Sequence, residues 1–349
     1  MLWRLKDWLE RSMADIVSIR SQKGEYMQMP ISRSRNHLRQ AMGFALALFF
    51  IEASAATYGA DLSALLEPGR PELVTTGLGF AEGPVWHPDG YLLFSDIPNS
   101  TIYRWTADGK LEKFRSPSFK SNGLAVDRQG RLIACEHGNR RVSRTETDGT
   151  VVTLADRYEG KRLNSPDDVV VKSDGSIYFT DPPYGLPGYG TPDQTEPGEM
   201  ELSFSGVYRI SADGSTLTLL TKDLHRPNGL AFSPDEKILY VTDTEIHRVY
   251  AFDINTDGSL GNGRIFIETF FSDWPDGIKV DANGNLYVAN NYNGVRVFDT
   301  AGKSVGLIKV GVPANCAFGG PDNKTLFIMS RMAVFAARMK VQGANIYVK

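Results

Sequence analysis

The chain has 349 residues, with 38 Lys and Arg against 41 Asp and Glu and a net charge of −3. That balance offers no basic surface for a nucleic-acid backbone. Its two cysteines, Cys135 and Cys316, belong to no Cys-x-x-Cys or Cys/His cluster, which excludes a structural zinc site and a disulfide framework.

In chain order, residues 1–40 carry many charges and no strand alternation. Ala41–Ile51 is an apolar run, preceded by Arg33, Arg35 and Arg39 and followed by Ala53-Ser54-Ala55. Basic region, short apolar core and small-residue site make a secretory signal peptide. Residues 1–55 therefore read as a leader and the mature protein as periplasmic or secreted. The run is shorter than the ~20 residues of a bilayer span, so no stable membrane anchor is expected after cleavage. A buried helix or an uncleaved anchor is the alternative. The stretch ahead of the apolar core is long for a signal, and Met27 or Met29 would make a more ordinary start. Residues 56–71 read as a linker and 72–349 as one all-β domain.

From Ala81 onward one pattern recurs six times. Its openings are Glu82-Gly83, Asn122-Gly123, Asp167-Asp168, Asn228-Gly229, Asp276-Gly277 and Asn315-Cys316, spaced by 40, 45, 61, 48 and 39 residues. A turn residue follows each at Gly90, Gly130, Gly175, Glu236, Gly284 and Asn323. The second strand then ends on a polar residue: Asp96, Glu136, Asp181, Asp243, Asn290 and Ser330. Strands and turns repeated at this period predict a β-propeller of six blades, four antiparallel strands each, with the openings near the axis at one mouth of a central channel. Glu72–Phe80 has strand character and is expected to complete the last blade from outside, removing an open edge. Cys135 and Cys316 then fall in blades that are not neighbours, so no disulfide is expected. Third strands (Ile102–Trp105, Arg141–Arg144, Gly206–Ile210, Val249–Phe252, Val295–Phe298, Ala333–Ala337) lead mostly to Asp-Gly-type hairpin signals such as Asp108-Gly109 and Asp213-Gly214.

The longest spacing holds an insert, Pro182–Met200, rich in Pro, Gly and Tyr. It reads as a lid or substrate wall, because long loops in compact domains tend to be functional; a plain surface loop is the alternative.

On the ring, Glu82, Asp167 and Asp276 bring three carboxylates together, with Asn122, Asn228 and Asn315 at the same radius. Like charges in a partly buried site demand a proton or a cation. Oxygen donors without His or Cys favour one hard divalent cation, Ca²⁺ ahead of Mg²⁺ or Mn²⁺, with Zn²⁺ a remoter choice. The competing reading is that Asn and Asp merely cap turns, but Glu82 in the same slot is a poor turn residue. No Gly-x-Ser-x-Gly elbow is present. Among the histidines, His37 lies in the leader and His87 and His247 read as surface or turn residues; His137, near a strand end, reads as a ligand contact, with a structural hydrogen bond as the alternative, and His225 as lining the mouth.

The segments Ala81–Trp86, Arg162–Val171, Phe179–Gly185, Arg226–Asp235 and Pro275–Ile278 resemble gluconolactonases of the senescence-marker-protein/gluconolactonase/luciferin-regenerating family. The resemblance runs from about residue 72 to the end. It implies a six-bladed propeller with one divalent metal, commonly calcium, in the channel. Glu82, Asn228 and Asp276 match the family's metal ligands, and Asp167 stands where Asn is usual, adding one negative charge. The implied activity is metal-dependent hydrolysis of a sugar lactone such as glucono-1,5-lactone. Asp276 is the first choice for the base and Asp167 the second. Asn122, Glu136, His137 and Asn164 are expected substrate contacts. A phosphotriester hydrolase on the same hardware, or a non-enzymatic binding platform with a structural metal, are the alternatives. Nothing in the sequence fixes the oligomeric state.

Overall fold

In the second strand of each repeat almost every residue is apolar, yet successive side chains must point to opposite faces. Such a strand can feed two neighbouring cores at once, and the structure is built on this property. The computed structural model describes residues 62–190, 193–268 and 274–344. The expected leader, residues 1–55, and the first part of the linker lie outside the described residues.

After a short 3₁₀ turn at Leu62–Ala64 the described residues form strands joined by turns and loops. The strands are β1–β4 (Glu72–His87, Tyr91–Asp96, Thr101–Thr106, Leu111–Arg115) and β5–β8 (Ser121–Val126, Leu132–Glu136, Arg141–Thr145, Val151–Ala155). A small ribbon follows, β9–β10 (Arg157–Tyr158, Lys161–Arg162), then β11–β14 (Val169–Val171, Ile177–Asp181, Gly206–Ile210, Leu217–Thr221). The remainder are β15–β18 (Pro227–Phe232, Ile238–Asp243, Arg248–Ile254, Leu260–Glu268), β19–β22 (Ile278–Val280, Leu286–Ala289, Val295–Phe298, Ser304–Ile308) and β23–β24 (Asn315–Gly319, Thr325–Arg338).

Six core clusters join each repeat to the next. Leu93 and Ile102 meet Leu124 and Ala134; Ile133 and Cys135 meet Phe179 and Tyr208; Tyr178 meets Leu230 and Val241. Tyr240 and Val249 meet Ile278 and Val288; Tyr287 and Val295 meet Cys316 and Ile328. Phe327 and Met329 then return to Leu92 and Phe94, which closes the ring. Within β2, Leu92 and Phe94 serve one neighbour and Leu93 the other. Burying a side chain of this size contributes about 1.5–3 kcal/mol. Cys135 and Cys316 are both buried and free, as their separation in the ring predicts.

The expectation of six separate four-stranded blades is corrected. Among the described residues there are four sheets of four strands, one of six strands, ordered β23-β24-β1-β2-β3-β4, and the small ribbon. The cause is β1, which runs unbroken from pairing with β24 (Glu72↔Ala336, Thr76↔Ala333) to pairing with β2 (Val85↔Leu93). It fuses the last and first repeats into one sheet. The closure expected of Glu72–Phe80 is therefore present, and it is the reason the fifth sheet is large. β24 itself folds back near Arg331: the Arg338 guanidinium reaches Thr325 Oγ1 at the far end of the same strand, and Met339 N–H donates to Lys324 O at 2.8 Å.

All six expected turn residues take positive φ: Gly90 90°, Gly130 77°, Gly175 90°, Glu236 55°, Gly284 87° and Asn323 54°. Glu236, the exception to small turn residues, is held there by its carboxylate, which accepts the Ser173 N–H at 2.7 Å.

Candidate active site

The inner strands β5, β15 and β23 begin at the openings, and polar residues at the ends of second strands set their position. Asp96 accepts the N–H groups of Gly79 (3.1 Å) and Phe80 (3.0 Å), Asp181 that of Asn164 (2.8 Å), Asp243 those of His225 (2.7 Å) and Arg226 (3.0 Å). Ser330 Oγ accepts the Val312 N–H at 3.0 Å. Each acceptor grips the backbone just ahead of an opening, so the clamp delivers that opening to the mouth. The glycine after most openings has a separate reason. A β-carbon on Gly83, at φ 52°, would lie 1.9 Å from Asn122 O, and one on Gly277 would lie 2.1 Å from the Asn315 carboxamide. Adjacent inner strands come together there only without a side chain.

Two cavities lie at opposite ends of these strands. One, of about 510 Å³, is lined mainly by apolar residues such as Leu124, Val171, Phe232 and Phe318. The other, of about 420 Å³, is lined by Glu82, Asn122, His137, Asp167, Asn228 and Asp276, with Tyr184, Tyr189, Gly190 and Gln194 of the insert. Phe80, Ile97, Arg226, Thr244, Glu245, Trp274, Asn291 and Arg331 complete it. The insert therefore walls the site. It is held by Lys120, whose ammonium donates to Thr195 O at 2.6 Å and lies 3.2 Å from Glu196, and by Gly185 N–H donating to Ser165 Oγ at 2.8 Å.

The three carboxylates share one arrangement: each is held by a neutral amide. Asn315 Nδ2 donates to Glu82 Oε2 at 2.9 Å, Asn122 Nδ2 to Asp167 Oδ2 at 3.0 Å, and Asn291 Nδ2 to Asp276 Oδ2. Asn122 and Asn315, expected as equals of the carboxylates on the ring, are thus their positioning partners. Asn228 differs. Its carboxamide makes no hydrogen bond among the described residues, and only its backbone carbonyl is taken, by Thr180 Oγ1 at 2.6 Å. His137 is buried beside Asp167, with Nε2 3.4 Å from Asp167 Oδ2 and Nδ1 without a partner.

Amides do not neutralise charge. Burial, then the charges of Asp167 and Asp168, push the Glu82 carboxyl up to about 8. Burial, then Glu82 and Asp167, push Asp276 well above the usual carboxylate range. Asp168 is also raised by burial, although Lys279 Nζ stands 3.9 Å from it. Among the described residues no three His, Cys, Asp or Glu side chains are grouped at ligating distance. The donor chemistry nevertheless suits a hard cation: buried carboxylates that resist ionising together, a free carboxamide oxygen and no competing thiolate.

Several expected site residues fall elsewhere. Glu136 does not reach the cavity. Its carboxylate is consumed by Arg115 (2.9 Å), Arg141 (2.7 Å), Asn139 (2.8 Å) and Ser143 (2.6 Å). Asn164 is buried in the clamp, with Nδ2 donating to Asp181 O and Phe204 O. His225 points outward, its side chain 62% exposed. His87, expected at the surface or in a turn, opens the turn in which Gly90 N–H donates to His87 O at 2.9 Å, and it is buried, with Nε2 3.0 Å from Gly130 O. Asn291 was not foreseen; its signal was its place directly after Asn290, the residue that ends the second strand.

Residues 80–332, which span every residue of this cavity, match the SMP-30/Gluconolactonase/LRE-like region. The chain belongs to this family. The family's gluconolactonase of Zymomonas mobilis is 34% identical over 311 residues, 81% of this chain and 85% of that protein. A pentonolactonase of Haloferax volcanii is 30% identical over 268 residues, covering 73% of this chain and 83% of its own. The solved structure of a gluconolactonase from Xanthomonas campestris is 38% identical and superposes with a TM-score of 0.74 over 80% of this chain and 92% of that one.

Proposed function

We propose that the protein is a lactone hydrolase that opens a sugar lactone, glucono-1,5-lactone first among them, with one divalent cation, Ca²⁺ foremost. The observation that carries this reading is the single cavity in which Glu82, Asp167 and Asp276 are each oriented by an amide while Asn228 is left free. Family relatives that are lactonases along most of their length support it.

Glu82, Asp167, Asn228 and Asp276 would hold the cation, which would supply Lewis acidity toward the lactone carbonyl. The chain's own residues do the rest. Asp276, fixed by Asn291, takes a proton from the water that adds to the carbonyl carbon. The bond from that carbon to the ring oxygen then breaks, and the ring oxygen takes the proton back, which leaves the hydroxy acid. Asp167 is the second candidate for this proton transfer. Asn122 and His137 are within the cavity to meet the sugar, and the tyrosines of the insert cover it from water.

The test is pH-stat titration of acid release from aldonolactones, before and after chelation and Ca²⁺ return. Release that stops on chelation and returns with Ca²⁺ is expected. Absence of turnover with bound cation would favour a binding platform, and turnover confined to phosphotriesters would replace the substrate class.

A further inference from the structure

The floor of the cavity is acidic, but its rim is not. Arg226 and Arg331 both line it. The charge of Arg226 is already matched: Nε lies 3.0 Å from Glu245 Oε2, and the guanidinium is stacked over Tyr184 and Tyr189 at 5.7 and 5.3 Å. Arg331 is different. It is exposed, at the fold-back of β24, with φ 51°. A residue with a β-carbon adopts such a conformation less readily than Gly or Asn, which would fill the turn more easily. Its guanidinium rests on the Phe80 ring at 5.3 Å and makes no ion pair among the described residues. An uncompensated cation is thus held on an apolar plate at the exposed mouth of a cavity whose carboxylates, Glu82, Asp167 and Asp276, are buried.

We propose that Arg331 determines specificity, and that the preferred substrates are lactones with an acidic group, a carboxylate or a phosphate, on the carbon chain away from the ring carbonyl. This rests on the lactonase reading. With the carbonyl at the acidic floor, the far end of the sugar meets the rim. A planar guanidinium binds carboxylate or phosphate oxygens in pairs, and a neutral hydroxymethyl group offers it one weaker contact. The same charge draws an anionic substrate toward a mouth whose floor would otherwise repel it.

The experiment compares three lactones of one ring: an aldonolactone, the aldarolactone with a terminal carboxylate, and the phosphorylated aldonolactone. In the wild type kcat/KM is expected to be at least about tenfold higher for one or both acidic lactones, the worth of one charge-assisted hydrogen bond. Arg331→Gln should lower that ratio about tenfold, through KM rather than kcat, and Arg331→Lys should restore part of it. Added salt should raise KM for the acidic lactones only. The two acidic arms tell whether carboxylate or phosphate is recognised. A wild-type ratio of one or less, or an unchanged ratio in Arg331→Gln, overturns the proposal and leaves the lactonase reading standing. No acid release from any of the three removes both.

Discussion

Removing bound cation should make the protein less stable as pH rises, and the size of the effect follows from Glu82. Its carboxyl is raised from 4.5 to about 8 by burial and by the neighbouring charges of Asp167 and Asp168. Between those two values the folded chain binds a proton that the unfolded chain does not, so stability falls with rising pH across that window. Each pH step costs up to about 1.4 kcal/mol for one such group. Relaxation of a buried cluster reduces the sum to a few kcal/mol, which corresponds to a drop in Tm of roughly 5–10 °C for a domain of this size. Asp276, raised for the same reasons, steepens the slope. The assay is thermal unfolding in EDTA between pH 5 and 8, repeated with Ca²⁺. Ca²⁺ should restore the lost Tm, because it binds the ionised folded form. Asp167→Asn removes the largest of the charges acting on Glu82, so it should flatten the EDTA profile and shrink the Ca²⁺ gain. A Tm that is flat or rises over that range without cation would refute the picture of crowded, protonated carboxylates.

Asp276→Asn keeps an oxygen and a partner for Asn291 but loses the proton acceptor, and kcat should fall by at least ~10²-fold with the fold retained; near wild-type kcat at saturating Ca²⁺ would move the base to Asp167. Gly277→Ala places a methyl group 2.1 Å from the Asn315 carboxamide, so Asn315 must leave Glu82. Ca²⁺ affinity measured by calorimetry should weaken about tenfold or more, as loss of an outer-shell partner does, whereas Gly284→Ala at a distant turn should not change it. Export predicts a mature N-terminus near Ala56 on protein recovered outside the cytoplasm; Edman sequencing that finds residues 1–40 on soluble cytoplasmic protein would count against it.

Much of the ring was legible because backbone chemistry wrote it locally. Gly90, Gly130 and their counterparts mark positive φ, and the alternation along strands such as Leu92–Phe94 marks the shared cores. The insert was legible as a wall from its length and composition. The fused sheet was not, since nothing in Glu72–His87 says that a strand passes from one blade to the next without a break. Glu136 misled for a physical reason. It occupies the slot that Asp96 and Asp181 use to clamp backbone, but two arginines, Arg115 and Arg141, compete for it from other strands. Arg141 is five residues from Glu136, but Arg115 is 21 residues away, and that pairing leaves no mark at short spacing. Asn291 and Asn315 show the same limit: the sequence placed the carboxylates, and only the packed ring revealed which amides orient them.

The central claim is that Glu82, Asp167, Asn228 and Asp276 form one cation site that serves lactone hydrolysis. Calorimetric titration of chelator-stripped protein with Ca²⁺, run beside acid release on the same samples, tests it most directly. One Ca²⁺ per chain is expected, with activity rising in step with occupancy, and both lost together in Glu82→Gln. Full activity in stripped protein, or one Ca²⁺ bound just as tightly by Glu82→Gln, would contradict the account.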